Sequence, residues 1–319
     1  MKTIYGAKNF PSIKEQKQLV VALGNFDGLH VAHKKIIDRA REIARARDRK
    51  CAVFLLDPHP AKVLFPESDL QLISTIKERA EVLGAWGVDY LIIEDFTREF
   101  SKLPPHDFVK NYLVGFLRAA EIITGIDYSF GLGGQGTSQD LSRWGRQLGY
   151  RAEVMPPVMC QGEVISSSLI RELIGSGDVA RAAIFLGGHF TITGSVVRGE
   201  GRGRNLGYPT ANLETGPGML IPGNSVYLTL AACQGRKYFS LTNIGRKPTF
   251  GQSDKVVIEV HLMDFSGNLY GEELMLTFLN KIRKEKYFSG VDLLVKQIGA
   301  DEKRAKELIA EKYQDMLQD

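Results

Sequence analysis

Cysteine is scarce in this chain, and what little there is excludes two whole classes of small domain. Cys51, Cys160 and Cys233 lie far apart, with no CxxC spacing. That leaves neither a zinc knuckle nor a disulfide framework, and it fits a reducing cytoplasm. Long hydrophobic runs are also missing. No uninterrupted apolar stretch approaches the roughly 20 residues of a membrane span, and the opening MKTIYGAKNFPS has no apolar signal core, so the protein reads as soluble with no membrane partner. Charge of one sign is absent too: 41 basic against 37 acidic residues give +4, too dispersed to make nucleic acid a partner, and Arg39 to Lys50 reads as a solvated helix face. No GxxxxGK[ST] occurs, which excludes a P-loop kinase. Internal repeats and low-complexity segments are absent, and no protein partner is indicated.

What is present is enough for two cores. The 319 residues are 44% hydrophobic, a length and composition that predict two domains. Residues 19–23 (LVVAL) read as a buried strand, and Ile36, Ile37, Ala40, Ile43 and Ala44 then recur at helical spacing. The alternation continues with strand over 51–56, helix over 76–83, strand over 90–93, helix over 108–117 and strand over 121–124, which predicts a parallel sheet. Near residue 187 the pattern changes. Short β-rich segments at 191–197, 226–232, 237–244 and 256–263, separated by Gly, Pro and Asn turns, predict a small antiparallel barrel. Leu294, Ile298, Ala305, Leu308 and Ile309 then space as helices packed on that barrel. The boundaries expected are 1–186 and 187–319.

Between the first strand and the first helix lies GNFDGLHVAH, residues 24–33. A strand ending in a Gly-rich turn and feeding a helix offers free backbone N–H groups and a positive dipole end, which together suit phosphate. Gly24 and Gly28 permit the turn, and His30 and His33 add donors on the first helical turn, where they could stabilise charge growing on a transferring phosphate. A single histidine at such a place is more often a cap or a surface residue. Zinc ligation by the pair is the other reading, and no thiolate or carboxylate cluster completes a tetrahedral set.

GNFDGLHVAH resembles the GxFDGxHxGH signature of the bacterial bifunctional riboflavin kinase and FMN adenylyltransferase family, also called FAD synthetase. DPHP (57–60), FSKLPPHDFV (100–109) and ISSSLIR (165–171) are similar to its (E/D)PHP turn, a helix start and its ISSTxIR segment. Beyond residue 187, GRGRNLGYPTAN (201–212) resembles GRxLGFPTAN, and NIGRKPTF (243–250), EVHLMDF (259–265) and LYGEEL (269–274) follow in family order. The resemblance covers nearly the whole chain. It implies an α/β Rossmann-like nucleotidyltransferase domain followed by a β-barrel riboflavin kinase domain with a C-terminal helix. The implied reactions take riboflavin and ATP to FMN, then FMN and ATP to FAD and pyrophosphate, with Mg²⁺ as the metal.

The same resemblance assigns residues. In the first domain, Gly24, Asn25, Phe26, Asp27 and Gly28 would meet the nucleotide, Ser166, Ser167 and Arg171 the triphosphate, and His30 and His33 the transition state. Because the FMN phosphate is already ionised, the histidines are cast as donors and not as proton acceptors. Without the family match, Ser166 to Ser168 read as a helix cap. In the second domain, phosphoryl transfer needs mainly positioning and charge neutralisation. Gly201, Gly203 and Gly207 suit backbone contact to phosphate, Thr210 and Asn212 are placed beside magnesium and nucleotide, and Glu259 is the base facing the riboflavin 5′-hydroxyl. Otherwise Glu259 reads as an outward-facing strand carboxylate. Flavin contact is assigned to His59, Pro60 and Arg283.

Two other readings compete. GLGGQG (131–136) fits GxGxxG, with a plausible helix after it and Glu153 at a tolerable distance for a ribose, which would make an NAD-dependent oxidoreductase. A non-catalytic flavin-binding module is the other, because some positions depart from the family. Ala32 stands where HxGH has glycine, GLGGQGT lacks the loop's basic residue and ends in Thr137 instead of an acid, Ser225 replaces a glycine, and Tyr287 replaces a basic residue. The departures nearest the chemistry lie in the first domain, so adenylyl transfer is expected to be the weaker activity.

Overall fold

Val20 and Ala22 face one side of their strand and Leu19, Val21 and Leu23 the other, yet all five are buried. An apolar run with no polar alternation is the mark of a strand covered on both faces, and that fixes its place at the centre of a parallel sheet. The computed structural model describes residues 1–11, 18–199, 203, 207–249 and 252–317. By its contacts the chain divides into two units, residues 1–167 and 168–319.

In the first unit, strands β1 (Lys2–Tyr5), β2 (Leu19–Leu23), β3 (Lys50–Asp57), β4 (Tyr90–Asp95), β5 (Ala119–Gly125) and, after the short β6 (Ser129–Phe130) and β7 (Gly136–Thr137), β8 (Arg151–Met155) form one parallel sheet. A two-residue hairpin, β9 (Met159–Cys160) with β10 (Glu163–Val164), follows. The sheet order is β1-β4-β3-β2-β5-β8. Helix α1 (Val31–Ala46) and, beyond the short α2 (Pro60–Leu64), α3 (Ile76–Ala85) cover one face, with Ile37, Ala40, Ile43 and Leu83 packed on Val20, Ala22, Val53 and Ile93. On the other face, α4 (Pro105–Asp107) runs into a wider helical turn at Phe108–Phe116, and α5 (Ser138–Leu148) follows; Phe108, Leu113 and Leu141 pack on Val21, Phe54 and Ile122. Each helix presents one apolar stripe and each strand two, which is why two cores sandwich one sheet.

The order reverses beside β2, with β3 on one side and β5 on the other. A crevice therefore opens at the carboxyl ends of β2 and β5, where ligands bind in open α/β sheets.

The second unit comprises α6 (Ser167–Ser176, its first residue at the division), α7 (Val179–Leu186), six antiparallel strands and a C-terminal helix. Strands β11 (Thr191–Val197), β12 (Ala211–Thr215), β13 (Ser225–Cys233), β14 (Arg236–Thr249), β15 (Gln252–Leu262) and β16 (Glu273–Lys284) close in the order β11-β12-β15-β14-β13-β16. Closure leaves no unpaired edge. Thr229 is buried with its hydroxyl 2.7 Å from those of Ser240 and Thr242, so this polar group inside the barrel is satisfied. Helix α8 (Val291–Leu308) lays Ala305 and Leu308 on Val226, Leu228 and Leu241, and irregular helical turns continue to Leu317.

Candidate active sites

The crevice at the end of β2 is entered by a turn in an uncommon conformation. Phe26, Gly28 and Leu29 all have positive φ, at +51°, +82° and +42°. For the two non-glycine residues that conformation costs about 1–3 kcal/mol each and persists only where the surroundings fix it. Here they do. Asp27 is buried and accepts from the backbone N–H groups of Ile73 and Ser74 at 3.1 Å, and its Oδ1 pairs with Arg79 Nη2 at 2.8 Å. Arg79 also donates to the Asn25 carbonyl, and Ser167 Oγ donates to the Asp27 carbonyl at 2.9 Å. Phe26 turns into the core, where a Cβ at Gly24 would crowd its ring at 3.0 Å. The side chains of Phe26 and Asp27 thus shape the turn, leaving backbone as what they can offer a nucleotide.

The Gly28 N–H, expected to be free, donates to Ser74 Oγ at 2.9 Å, and the Leu29 N–H donates to the Phe26 carbonyl. The donors at this crevice belong instead to α1. His30 is its buried N-cap, with Nδ1 accepting from the His33 N–H at 3.3 Å, as in any capped helix. That leaves the first-turn N–H groups of Val31 and Ala32 at the positive end of the helix dipole. The imidazoles of His30 and His33 stack, with centroids 3.5 Å apart. Burial, then the neighbouring His30 and Arg79, hold His33 well below the ordinary imidazole value of 6.5, so it is neutral and offers an N–H without a charge. Its Nδ1 is buried with no protein partner.

At the end of β3, His59 caps α2, its Nδ1 accepting from the Ala61 N–H, while Nε2 lies 3.4 Å from Asn25 Nδ2. Asn25 and Pro60 line a cavity of about 160 Å³ whose walls are Phe96, Phe100, Tyr128 and Phe130. A flat aromatic ring is the kind of group such walls take. Ser166 and Ser167 stand at the start of α6, and Arg171 belongs to the second unit.

Gly131 and Gly134 of the glycine-rich loop line the same cavity. A Cβ at Gly131 or Gly136 would lie 2.7 Å from Pro105, so packing against α4 requires both glycines. Thr137 caps α5 in a reciprocal box with Asp140, and Glu153 is held by Arg39 through two hydrogen bonds of 2.7 and 3.1 Å. The loop follows a two-residue strand instead of the first strand of a βαβ unit, and its would-be ribose carboxylate is occupied. The dinucleotide reading is set aside on those grounds.

The barrel supplies a second site, built by register. Asn212 on β12 faces Glu259 on β15, Glu259 faces Asn243 on β14, Asn243 faces Val226 on β13, and Val226 faces Arg283 on β16. Residues directly opposite in a ladder share one face of the sheet. This single rung gathers five side chains from five strands, and all five line one cavity of about 310 Å³ with Thr210, His261 and Phe288. Its far wall is α8, through Leu294, Ile298 and Asp301. Glu259 is half-buried. The Arg283 guanidinium lies over the Phe288 ring and is gripped by buried Asp301 at 2.9 Å, which Gln297 also contacts. Gly203 lines the cavity; Gly207 does not, and Gly201 lies outside the described residues. On the opposite face of β12 and β15, a second cavity holds Phe265, Asn268, Leu269 and Tyr270 and shares Thr210 with the first.

Among the described residues no group of three His, Cys, Asp or Glu side chains is placed to hold a metal. The hydroxyl of Thr210 and the amide of Asn212 are hard oxygen donors of the kind Mg²⁺ accepts, with water and phosphate completing its shell. A Cβ at Gly199 would strike the Asn212 amide, and one at Gly203 would lie 3.1 Å from the Thr210 hydroxyl. Two glycines thus keep the space beside those donors open, and the residues fit the ion. Arg79, Asn243, Asp301 and Gly199 escape sequence reading. Arg79 carries one weak signal: it follows the capping box of Thr75 and Glu78 that starts α3.

Comparison with known proteins covers both units. A family profile described as FAD synthetase matches residues 12–169, and one described as riboflavin kinase matches residues 186–309. The bifunctional riboflavin kinase/FMN adenylyltransferase of Listeria monocytogenes is 34% identical over 294 residues, 91% of this chain and 92% of that protein. That of Escherichia coli K12 is 33% identical over 309 residues, 96% and 97% of the two chains. A solved structure from Streptococcus pneumoniae, described as a macrolide-efflux protein, is similar with TM-score 0.87 and 33% identity, covering 96% of this chain and 99% of that one. Among the described residues no helix is long and apolar enough to cross a membrane.

Proposed function

The chain belongs to the bifunctional riboflavin kinase/FMN adenylyltransferase family, and from that premise we propose that its barrel phosphorylates riboflavin and its parallel-sheet unit adenylylates the FMN. The observation that carries this reading is the rung Asn212–Glu259–Asn243–Val226–Arg283. It sets one carboxylate among amides inside a cavity with one apolar wall, which is what a flavin alcohol and a nucleotide phosphate together require.

In the barrel, the riboflavin 5′-oxygen bonds to the γ-phosphorus of ATP as the bond to the β-phosphate oxygen breaks, giving FMN and ADP. Glu259 takes the hydroxyl proton. Phe288, Leu294 and Ile298 offer apolar surface to the isoalloxazine ring, with Arg283 held over Phe288. The nucleotide occupies the adjoining cavity that shares Thr210, with its base beside Tyr270 and Asn268 and its phosphates toward Gly203. Thr210 and Asn212 would hold Mg²⁺, which when bound neutralises charge on the phosphates.

In the first unit, an FMN phosphate oxygen bonds to the α-phosphorus of ATP and pyrophosphate leaves, with no proton to remove. The flavin ring lies in the aromatic cavity beside Asn25 and Pro60, with His59 at its edge. The N–H groups opening α1, together with His30 and the neutral imidazole of His33, donate to the triphosphate as charge shifts onto the leaving group. Ser166 and Ser167 complete the phosphate contacts within this unit. Cys51, Cys160 and Cys233 are free thiols, in keeping with a place in the cytoplasm.

The test is direct. Purified protein is incubated with riboflavin, ATP and Mg²⁺, and flavins are resolved by chromatography. FMN followed by FAD is the expected result; flavin bound without turnover would leave only the binding-module reading.

A further inference from the structure

Arg79 is 1% exposed, and its guanidinium lies beneath the GNFDG turn. Nη2 donates to Asp27 Oδ1 and to the Ser74 carbonyl, both at 2.8 Å, Nη1 to the Asn25 carbonyl at 3.1 Å, and Nε to Ser74 Oγ at 3.0 Å. Ser74 Oγ accepts in turn from the Gly28 N–H. One planar fork therefore ties both arms of a turn holding three positive-φ residues. A buried ion pair is weak support for stability, since well-packed apolar side chains often serve equally. What apolar side chains cannot do is grip a carbonyl and a carboxylate at fixed angles.

We infer that Arg79 is a positioning residue for adenylyl transfer. By holding the Asn25 carbonyl and the Asp27 carboxylate together, it locks the turn that aims the start of α1, with His30 and His33, at the triphosphate. The inference rests on the adenylyl-transfer reading of the first unit. Arg79 also acts on the site through its charge, as one of the three influences that keep His33 neutral, after burial and His30.

The experiment uses full-length protein and two substitutions. Arg79→Lys keeps the charge and loses the fork. Ser74→Ala removes the hydroxyl between Arg79 and Gly28 and leaves the ion pair. FAD formation from supplied FMN and ATP is measured as kcat and KM separately, with cooperative thermal unfolding of the first unit as the control for folding and riboflavin phosphorylation as the control for the amount of protein. A misaimed site loses rate more than binding, so kcat for FAD should fall roughly 10- to 100-fold in Arg79→Lys with both KM values little changed. Ser74→Ala should fall in the same direction by less, and the His33 imidazole titration followed by NMR should stay put in both. A folded Arg79→Lys with kcat within about twofold of wild type overturns the inference, as does a raised KM at unchanged kcat. If Arg79→Lys does not fold, Ser74→Ala decides, and an unchanged kcat there overturns it. Wild-type protein that makes no FAD at all overturns the parent reading, and this inference with it.

Discussion

At Ala32, one methyl group stands where a nucleotide would meet the helix backbone. It is the second residue of α1, half-buried, beside an N–H that the crevice leaves open. Ala32→Gly removes the Cβ, and a gain in FAD formation of roughly tenfold would correspond to about 1.4 kcal/mol of transition-state stabilisation. The helix should lose about 0.5–1 kcal/mol in exchange. Steady-state rates of FAD formation and thermal unfolding check the two halves, and an unchanged rate would make Ala32 a neutral variation. Thr137, another of the departures, has a use as the cap of α5. His33 carries a pH signature. Its folded value lies well below 6.5 while the unfolded chain titrates near 6.5, so below that pH the unfolded state takes up a proton the folded state refuses. Its contribution is therefore present above about pH 6.5 and lost as pH falls below it. Melting of the first unit should drop between about pH 7 and about pH 5.5, and His33→Gln should flatten that drop.

Among the elements, what was legible follows from burial. LVVAL is β2 to the residue and TITGSVV is β11, because each is an uninterrupted or alternating apolar segment bounded by turns. The helix expected after GLGGQG is α5. Of the six barrel strands, four stand out in the sequence and two do not. β12 is five residues of mixed polarity, and β16 sets Phe278 beside Leu279, both buried, which breaks the period of two. Thr210, Asn212, Glu259 and Arg283 could be named singly in the sequence, whereas their meeting in one cavity could not, since register is decided by hydrogen bonding across strands and leaves no local trace. The clamp on Arg283 was hidden for the same reason: Asp301 is 18 residues away on another element. α8 forms both the apolar wall of the cavity and part of the barrel's core. Leu308→Ala should therefore destabilise the barrel by about 2–5 kcal/mol in denaturant melts, the usual cost of such a cavity.

The whole molecule contains two cores, and separate cores ordinarily fold separately. Composition changes near residue 187, whereas contacts divide the chain after Ser167. The first of the intervening helices is tied to the barrel unit: the Gly223 N–H donates to the Ile174 carbonyl, and Lys281 Nζ donates to the Ser176 carbonyl. A fragment of residues 168–319 should accordingly fold and phosphorylate riboflavin, and should melt higher than one of residues 187–319; equal melting would show that the two helices add nothing. Two active sites in one chain can be separated most directly with Glu259→Gln, which preserves shape and cannot accept a proton. The decisive measurement supplies full-length Glu259→Gln with ATP and Mg²⁺ plus either riboflavin or FMN, and quantifies both products. Formation of FMN from riboflavin should fall by about 10²- to 10⁴-fold while FAD forms from supplied FMN at the wild-type rate. Near-normal phosphorylation, or loss of both reactions together in a folded protein, would contradict the division of labour between barrel and sheet.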